Sequence, residues 1–315
     1  MKAIRQLSPR AKAEIKALSG ARPGRFLATL ATTWITIGLA VALACLARNM
    51  VVSALTIYLV ATRQNILGLL IHDQTHQTGL NSRYGDLIVN CLAGYPLFVI
   101  TVEGYARVHL AHHRHFFTRD DPDFLRKNGA DWTFPMAPGR LAMLFLQDLT
   151  GLSVIRLLMR RHYDGEPGST FKRKHPSPRG ARILFLAALL TGLTLTGGWS
   201  LFLLYWVVPL VTVLPAIVRW GAICEHRYGE QGAALEDSTP VILPTRLSKL
   251  LLPNLNFTMH VYHHYFPAVS FANLPMVHAI FVREGLVRDD MIHRSQLDYL
   301  RHILSEKPQG AALAA

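Results

Sequence analysis

The sequence predicts an all-α integral membrane protein with four transmembrane helices in two hairpins and a cytoplasmic helical cap. Three observations carry that expectation. Half of the 315 residues are apolar and only 17% are charged, against about 25% charged in ordinary soluble domains. The apolar residues gather in long uncharged runs. Basic residues crowd on one side of those runs, and the net charge is +13. A mean hydropathy of +0.23 is too low for membrane helices alone, so a sizeable polar part is expected.

The chain reads as one domain, residues 1–315, in three stretches. Residues 1–25 are a basic cytoplasmic N-terminus carrying Lys2, Arg5, Arg10, Lys12, Lys16, Arg22 and Arg25. Residues 26–218 hold the four spans with a re-entrant and an interfacial segment. Residues 219–315 form the cytoplasmic cap and tail, with Gln309–Ala315 expected to fray.

Phe26 to Ala47 has no charge. At about 1.5 Å per residue it crosses a hydrocarbon core of about 30 Å. It is long for a signal peptide, and no clear small-residue cleavage site follows. Asn49 to Ile71 is the returning span. Its Arg63, Gln64 and Asn65 are expected to face protein or a cavity rather than lipid. Leu87 to Val102 is shorter and contains Gly94 and Pro96, which fits a re-entrant hairpin. Pro138 to Arg161 is amphipathic, with Arg156, Arg160 and Arg161 at its end, and is expected to lie flat on the membrane. Ile183 to Val218 is again uncharged, broken at Gly197-Gly198. Two helices of about 17 residues, roughly 25 Å each, make the second hairpin.

Two hairpins put both termini on one side. The exit loops carry Arg48 and nothing else, whereas basic residues cluster at the N-terminus and between Arg156 and Arg182. The positive-inside rule makes that basic side cytoplasmic, which in a bacterium means the inner membrane. The same placement explains the charge without nucleic acid, which is not expected as a partner. Cys45, Cys91 and Cys224 form no disulfide framework and no CxxC site, and nothing contradicts a reducing compartment.

The 15 histidines are unevenly placed. His72-Asp-Gln-Thr-His76 ends the second span. His109-Leu-Ala-His112-His113 follows the re-entrant segment. His260-Val-Tyr-His263-His264 lies in the polar C-terminal part. Positions i, i+3 and i+4 share one helix face, so each box presents its imidazoles in one direction. Imidazole suits iron, zinc, copper or nickel. Eight imidazoles exceed the four ligands of a structural zinc, and two metals sharing the set is the simpler account. All three boxes fall on the cytoplasmic side of the predicted topology. His115, His162, His175, His278, His293 and His302 are taken as surface or structural.

These boxes resemble the three histidine boxes of the membrane fatty acid desaturase superfamily, which also holds hydroxylases, ketolases and alkane hydroxylases. The stretch from His109 through His-Phe-Phe-Thr-Arg-Asp-Asp-Pro-Asp123 is similar to the second box and its acidic-Pro-acidic tail. Asn256-Phe-Thr-Met-His260-Val-Tyr-His-His-Tyr-Phe-Pro267 is similar to the third. The likeness covers roughly residues 30 to 280 and is specific for the superfamily rather than for one reaction.

The resemblance implies a histidine-ligated di-iron centre held by His72, His76, His109, His112, His113, His260, His263 and His264. It implies molecular oxygen as co-substrate. His226, before Arg-Tyr-Gly, matches a further ligand that precedes Leu-Tyr-Gly in stearoyl-CoA desaturases. Animal members carry Asn four residues before that histidine; here the position is Ala222, and Asn256 or Glu225 is the candidate replacement. A ligating imidazole usually donates its other N–H to a partner, so Asp73, Asp121, Asp123 and Glu225 are candidate supports by nearness in sequence. Asp121 and Asp123 equally suit a helix cap or a turn around Pro122.

The implied activity is oxygen-dependent desaturation of a fatty acyl chain entering from the membrane, with hydroxylation close behind and carotenoid ketolation or hydroxylation further options. Electrons are expected from a separate protein, such as an acidic ferredoxin docking on the basic face, since no haem or flavin motif is present and no cytochrome b5-like extension follows the third box. Two rivals belong to other classes. A zinc metalloprotease needs one metal and a Glu base, where this chain has Asp73. A metal transporter places its ligands near mid-membrane, whereas these boxes lie at span ends.

Overall fold

The computed structural model describes residues 2–98, 100–159 and 173–305. Arg160, Arg161, His162 and the tail from Gln309 lie outside them. The described residues are mostly helical. Helix α1 (Pro9–Leu18) is capped by Ser8, whose side chain accepts from Ala11 N, with Pro9 at the first position. α2 (Pro23–Ala47) and α3 (Met50–Thr75) pack as an antiparallel hairpin. The turn is set by Arg48 at φ 45° and by Asn49, whose side chain caps Val51 N and Val52 N. Gly85–Leu97 and α4 (Val102–His115) meet at 91°, the bend of a broken span or a re-entrant loop. Asn90 Oδ1 accepts Val102 N at 2.8 Å and pins the two arms.

The chain continues through α5 (Pro122–Lys127), α6 (Pro138–Leu149), α7 (Leu152–Met159) and α8 (Ala181–Thr196) to α9 (Trp199–Glu225). Beyond it lie α10 (His260–Tyr265), α11 (Leu274–Arg283) and α12 (Gln296–Ser305). Two short strands, β1 (Val241–Ile242) and β2 (Ile292–His293), pair in parallel with Val241 opposite Ile292. One core lies between α2, α3 and the Gly85–Leu97 segment, with Phe26, Leu67, Leu70 and Val89 among its buried members. A second lies under the cap, where Leu7, Ala11 and Ile15 pack with Val277 and Phe281. The N-terminal stretch is therefore not a loose basic tail. It is a docked helix, tied to α11 by Arg283–Glu14 at 2.8 Å and by Ser8 N to Glu284 at 3.0 Å.

Several expectations need correction. Among the described residues three helices, α2, α3 and α9, are long and apolar enough to cross a membrane, or up to five if each bent helix pair is one span. The fourth expected span, α8, is a shorter apolar helix of 16 residues. Its partner does not stop at Val218. Arg219 lies inside α9, and its guanidinium bonds Asp148 of α6 at 2.5 and 3.0 Å. A paired charge does not end a helix, so α9 runs to Glu225 and delivers His226. The expected boundary at residue 219 falls inside α9. The expected flat helix from Pro138 is two helices, α6 and α7, bent by 77° around Gly151 at φ 76°.

Two of the three polar residues of α3, Gln64 and Asn65, do face protein, and Asn65 Nδ2 donates to Pro253 O at 3.3 Å. Gln64 is fully buried and its Nε2 donates to Trp206 O at 2.8 Å. That carbonyl belongs to the π turn Leu203–Val207 of α9. A wider turn frees backbone groups that lipid cannot satisfy, and Gln64 satisfies one. Trp206 also stacks on Trp34 of α2 at 5.3 Å.

Candidate metal centre

Box one lies on the last turn of α3, box two on the last turns of α4, and box three is α10 itself. His226 is the residue that ends α9. The termini of four helices thus meet. They bring all nine histidines named from the sequence into one continuous group of rings; seven of the nine are buried, and His76 and His113 are half-buried.

The group has two foci. His72, His76, His109 and His263 each offer a ring nitrogen, all within 4.8 Å of one another. His112, His226 and His264 do the same at the second focus. In the first, His109 Nε2 lies 2.9 Å from His76 Nε2 and 3.4 Å from His263 Nε2. In the second, His226 Nε2 lies 3.2 Å from both His112 Nε2 and His264 Nε2. The remaining two bridge the foci. His113 Nε2 is 2.9 Å from His109 Nε2 and 3.0 Å from His263 Nε2, and its ring stacks on His264 at 4.1 Å. His260 lies 4.8 Å, ring to ring, from His226 and from His264.

Burial, reinforced by neighbouring imidazoles, holds His260, His263 and His264 well below the ordinary histidine range. Burial does the same to His226. His76 is pushed down to about 3, by burial first and then by the charge of Arg173. Neutral rings offer lone pairs. Several such nitrogens point at one another, and both ring nitrogens of His72 and Nδ1 of His260 are buried without a hydrogen-bond partner. Buried polar groups are rarely left so. An all-imidazole donor set with converging, unsatisfied nitrogens fits two soft-to-borderline transition-metal cations.

The supporting groups divide differently from their order in the sequence. Asp121 is fully buried. One of its oxygens accepts from His112 Nδ1 at 2.8 Å and from Phe117 N at 2.8 Å. The other caps α5, accepting from Asp123 N and Phe124 N. The cap and the imidazole partner are one carboxylate. Asp123 touches no imidazole directly among its hydrogen bonds; it accepts from Lys127 Nζ and Tyr228 OH. Burial pushes its carboxyl up, but the Lys127 ammonium outweighs that and holds it low.

Glu225 lines a small cavity of about 40 Å³ with His109, His112, His226 and His260. Asp73 is not aimed at the rings. It accepts from Phe271 N at 3.1 Å and Ser270 Oγ at 3.3 Å, so it fastens the chain beyond box three. Asn256 is not a replacement ligand. It sits in a left-handed turn at φ 64° that sends its amide to Phe271 O.

Two contributors were not read from the sequence. Thr239 Oγ1 lies 3.0 Å from His226 Nδ1, and Tyr105 stacks on His109 at 5.2 Å. Tyr105 precedes His109 by one helical turn, which is a usable signal. Thr239 gave none. Of the other histidines, His278 meets Tyr262 OH, and His293 and His302 pack with Tyr299 under the cap. His175 is exposed.

Compared with curated proteins, the chain matches none. The family model described as fatty acid desaturase matches residues 48–296, a stretch that takes in all nine histidines and well over half of the chain. On that match the chain is a membrane protein of the fatty acid desaturase family.

Proposed function

We propose that this protein is an oxygen-dependent di-iron oxidoreductase that desaturates fatty acyl chains, acyl-lipid or acyl-thioester, in the membrane. The observation that carries the reading is the pair of adjacent histidine foci, one of four rings and one of three. Two foci favour two metals over the single zinc of a metalloprotease. Asp73, taken up by Ser270 and Phe271, is not presented as a base. The foci lie at helix ends, which speaks against a mid-membrane transport site.

His72, His76, His109 and His263 would hold one iron, and His112, His226 and His264 the other, with His113 and His260 between them. Bound iron supplies the redox chemistry that reduces oxygen and abstracts hydrogen from an unactivated C–H bond, which zinc lacks. The chain's own residues do the rest. Asp121 and Thr239 take the Nδ1 protons of His112 and His226, which leaves Nε2 free to ligate. The packed rings of Tyr105 and Phe257 cover the first focus and exclude bulk water.

An apolar groove of about 720 Å³ supports a hydrocarbon substrate. Leu141 and Phe145 of α6, Ile217 and Trp220 of α9, and Leu300 of α12 line it. Its lining takes four residues of α9 and none of the nine histidines. Grooves of this size and lining suit long apolar ligands. Hydroxylation by the same site is the second reading, since both reactions begin with hydrogen abstraction. Electrons would come from a separate donor, such as a ferredoxin, on the basic face. The positive-inside rule supports a cytoplasmic position for that face, which in a bacterium would be the inner membrane's inner side.

The test is a metal count on the purified chain. Two irons per chain, lost together with activity on chelation, supports the reading. One tightly held zinc and no iron would remove it.

A further inference from the structure

The first histidine focus depends on a segment that no histidine box contains. Helix α3 ends at Thr75, and His76 lies just beyond it. The backbone then turns through Gln77 at φ 60°. The last carbonyls of a helix have no partner within it, so a ligand placed there rests on the least secure turn. Arg173 closes that turn. Its Nη1 donates to Thr75 O at 2.7 Å and its Nη2 to Gln74 O at 3.1 Å. The same guanidinium grips Asp86 through Nε at 2.6 Å and Nη2 at 2.5 Å. Arg and Asp side chains are only 4% and 7% exposed.

The grip is part of a wider clamp. Gln74 Nε2 donates to Asp86 and to Leu80 O, and Gln74 Oε1 accepts from Leu80 N. The turn from 76 to 85 is thereby folded tightly against α3; a side chain at Gly79 would meet the Phe26 ring at 2.5 Å. Four residues after Arg173, Ser177 N donates to Glu103 at 2.7 Å, and Asn90 donates to the same carboxylate at 2.7 Å. The stretch 173–177 therefore straps the end of box one and the start of the box-two helix together. A planar five-donor fork is the side chain that can serve a carboxylate and two carbonyls at once.

We propose that Arg173 is a positioning residue for the first metal site: its fork fixes the end of α3 so that His76 meets His72, His109 and His263. The inference rests on the di-iron reading above. The second focus has its own supports in Asp121 and Thr239, so the loss of Arg173 acts on one site of two. Outer-shell partners of metal ligands are typically worth 10–100-fold in affinity.

The test is cobalt(II) titration of the iron-stripped full-length chain in detergent, followed by visible absorbance and calorimetry. His263→Ala and His264→Ala serve as references for the first and second sites. Arg173→Lys keeps the charge but cannot form the fork. It is expected to weaken the first site on the order of tenfold while the second keeps its wild-type constant and the apo protein melts normally. Arg173→Gln with Asp86→Asn removes both buried charges and is expected to give the same one-sided loss. Wild-type constants at both sites in either variant overturn the proposal. So does equal weakening of both sites with a lowered melting temperature, which marks a general fold defect. A wild-type chain that binds no cobalt fails the di-iron reading itself, a result separate from any difference among variants.

Discussion

Asp121 holds His112 and begins a helix with the same carboxylate: Oδ2 lies 2.8 Å from His112 Nδ1 while Oδ1 caps α5 at Asp123 N and Phe124 N. The ring's orientation is thereby tied to backbone rather than to a mobile side chain. Asp121→Asn should preserve much of the cap but supply an amide where the ring needs an acceptor. Asp121→Ala should lose both, and a lost N-cap alone costs about 1 kcal/mol. Metal affinity at the second site should fall about 10–100-fold in both variants, with the greater loss of melting temperature in the alanine variant. Metal titration beside thermal unfolding separates the two effects.

Thr239→Val removes the hydroxyl that faces His226 Nδ1 at 3.0 Å with little change in volume. Second-site affinity should drop about tenfold, and Thr239→Ser should restore most of it. Equal affinity in the valine variant would mean that His226 needs no such partner.

Asp73 offers a test against hydrolytic chemistry. Asp73→Asn keeps an oxygen for Phe271 N and should retain two metals and most activity. Asp73→Ala leaves that buried N–H without a partner, at about 1–3 kcal/mol, and should lower stability before it lowers turnover in the folded fraction. Abolition of activity by asparagine alone, with metals intact, would mark Asp73 as a base.

The buried rings set a pH dependence. Burial holds His226, His260, His263 and His264 well below their unfolded range in the metal-free fold. Unfolded histidine titrates near about 6.5. Below that pH the unfolded chain takes up protons that the fold refuses, so stability falls as pH falls, and the contribution is fully present above it. Melting temperatures of the metal-free protein should be flat between about pH 7 and 8 and should drop steadily below about 6.5. A melting temperature that rises on acidification would contradict the neutral-ring assignment.

The groove predicts a length effect. Ala216 of α9 lines it beside Ile217 and Trp220. Ala216→Phe adds bulk where the proposed hydrocarbon substrate would lie. It should raise KM for long acyl chains severalfold, on the scale of one to a few methylenes at about 0.8 kcal/mol each, and spare shorter ones. Assays with an acyl series on the variant check this. Equal kinetics across the series would move the substrate elsewhere.

The parts legible from sequence are those carried by local pattern. Runs of apolar residues gave α2 and α3 to within about four residues at each end, and the i, i+3, i+4 spacing of histidines gave faces that do converge. The end of α9 was not legible. Arg219 reads as the start of a polar segment until its partner is known, and Asp148 lies on a different helix. Nearness in sequence picked out Asp121 but misjudged other supports. Asn256 sits just before box three yet turns away through a left-handed residue, while Thr239 and Arg173 reach the rings or their helix from distant loops. Long-range contacts of single polar residues leave no periodic trace.

Expression in a bacterial host with a matched ferredoxin system, followed by total-lipid mass spectrometry, tests the central claim most directly, with His263→Ala at equal protein level as control. The expected result is acyl species lighter by two hydrogens in the wild type and absent in the control. Species heavier by one oxygen would assign hydroxylation to the same centre. No change in any acyl lipid, from a chain shown to carry two irons, would contradict the proposal that fatty acyl chains are its substrate.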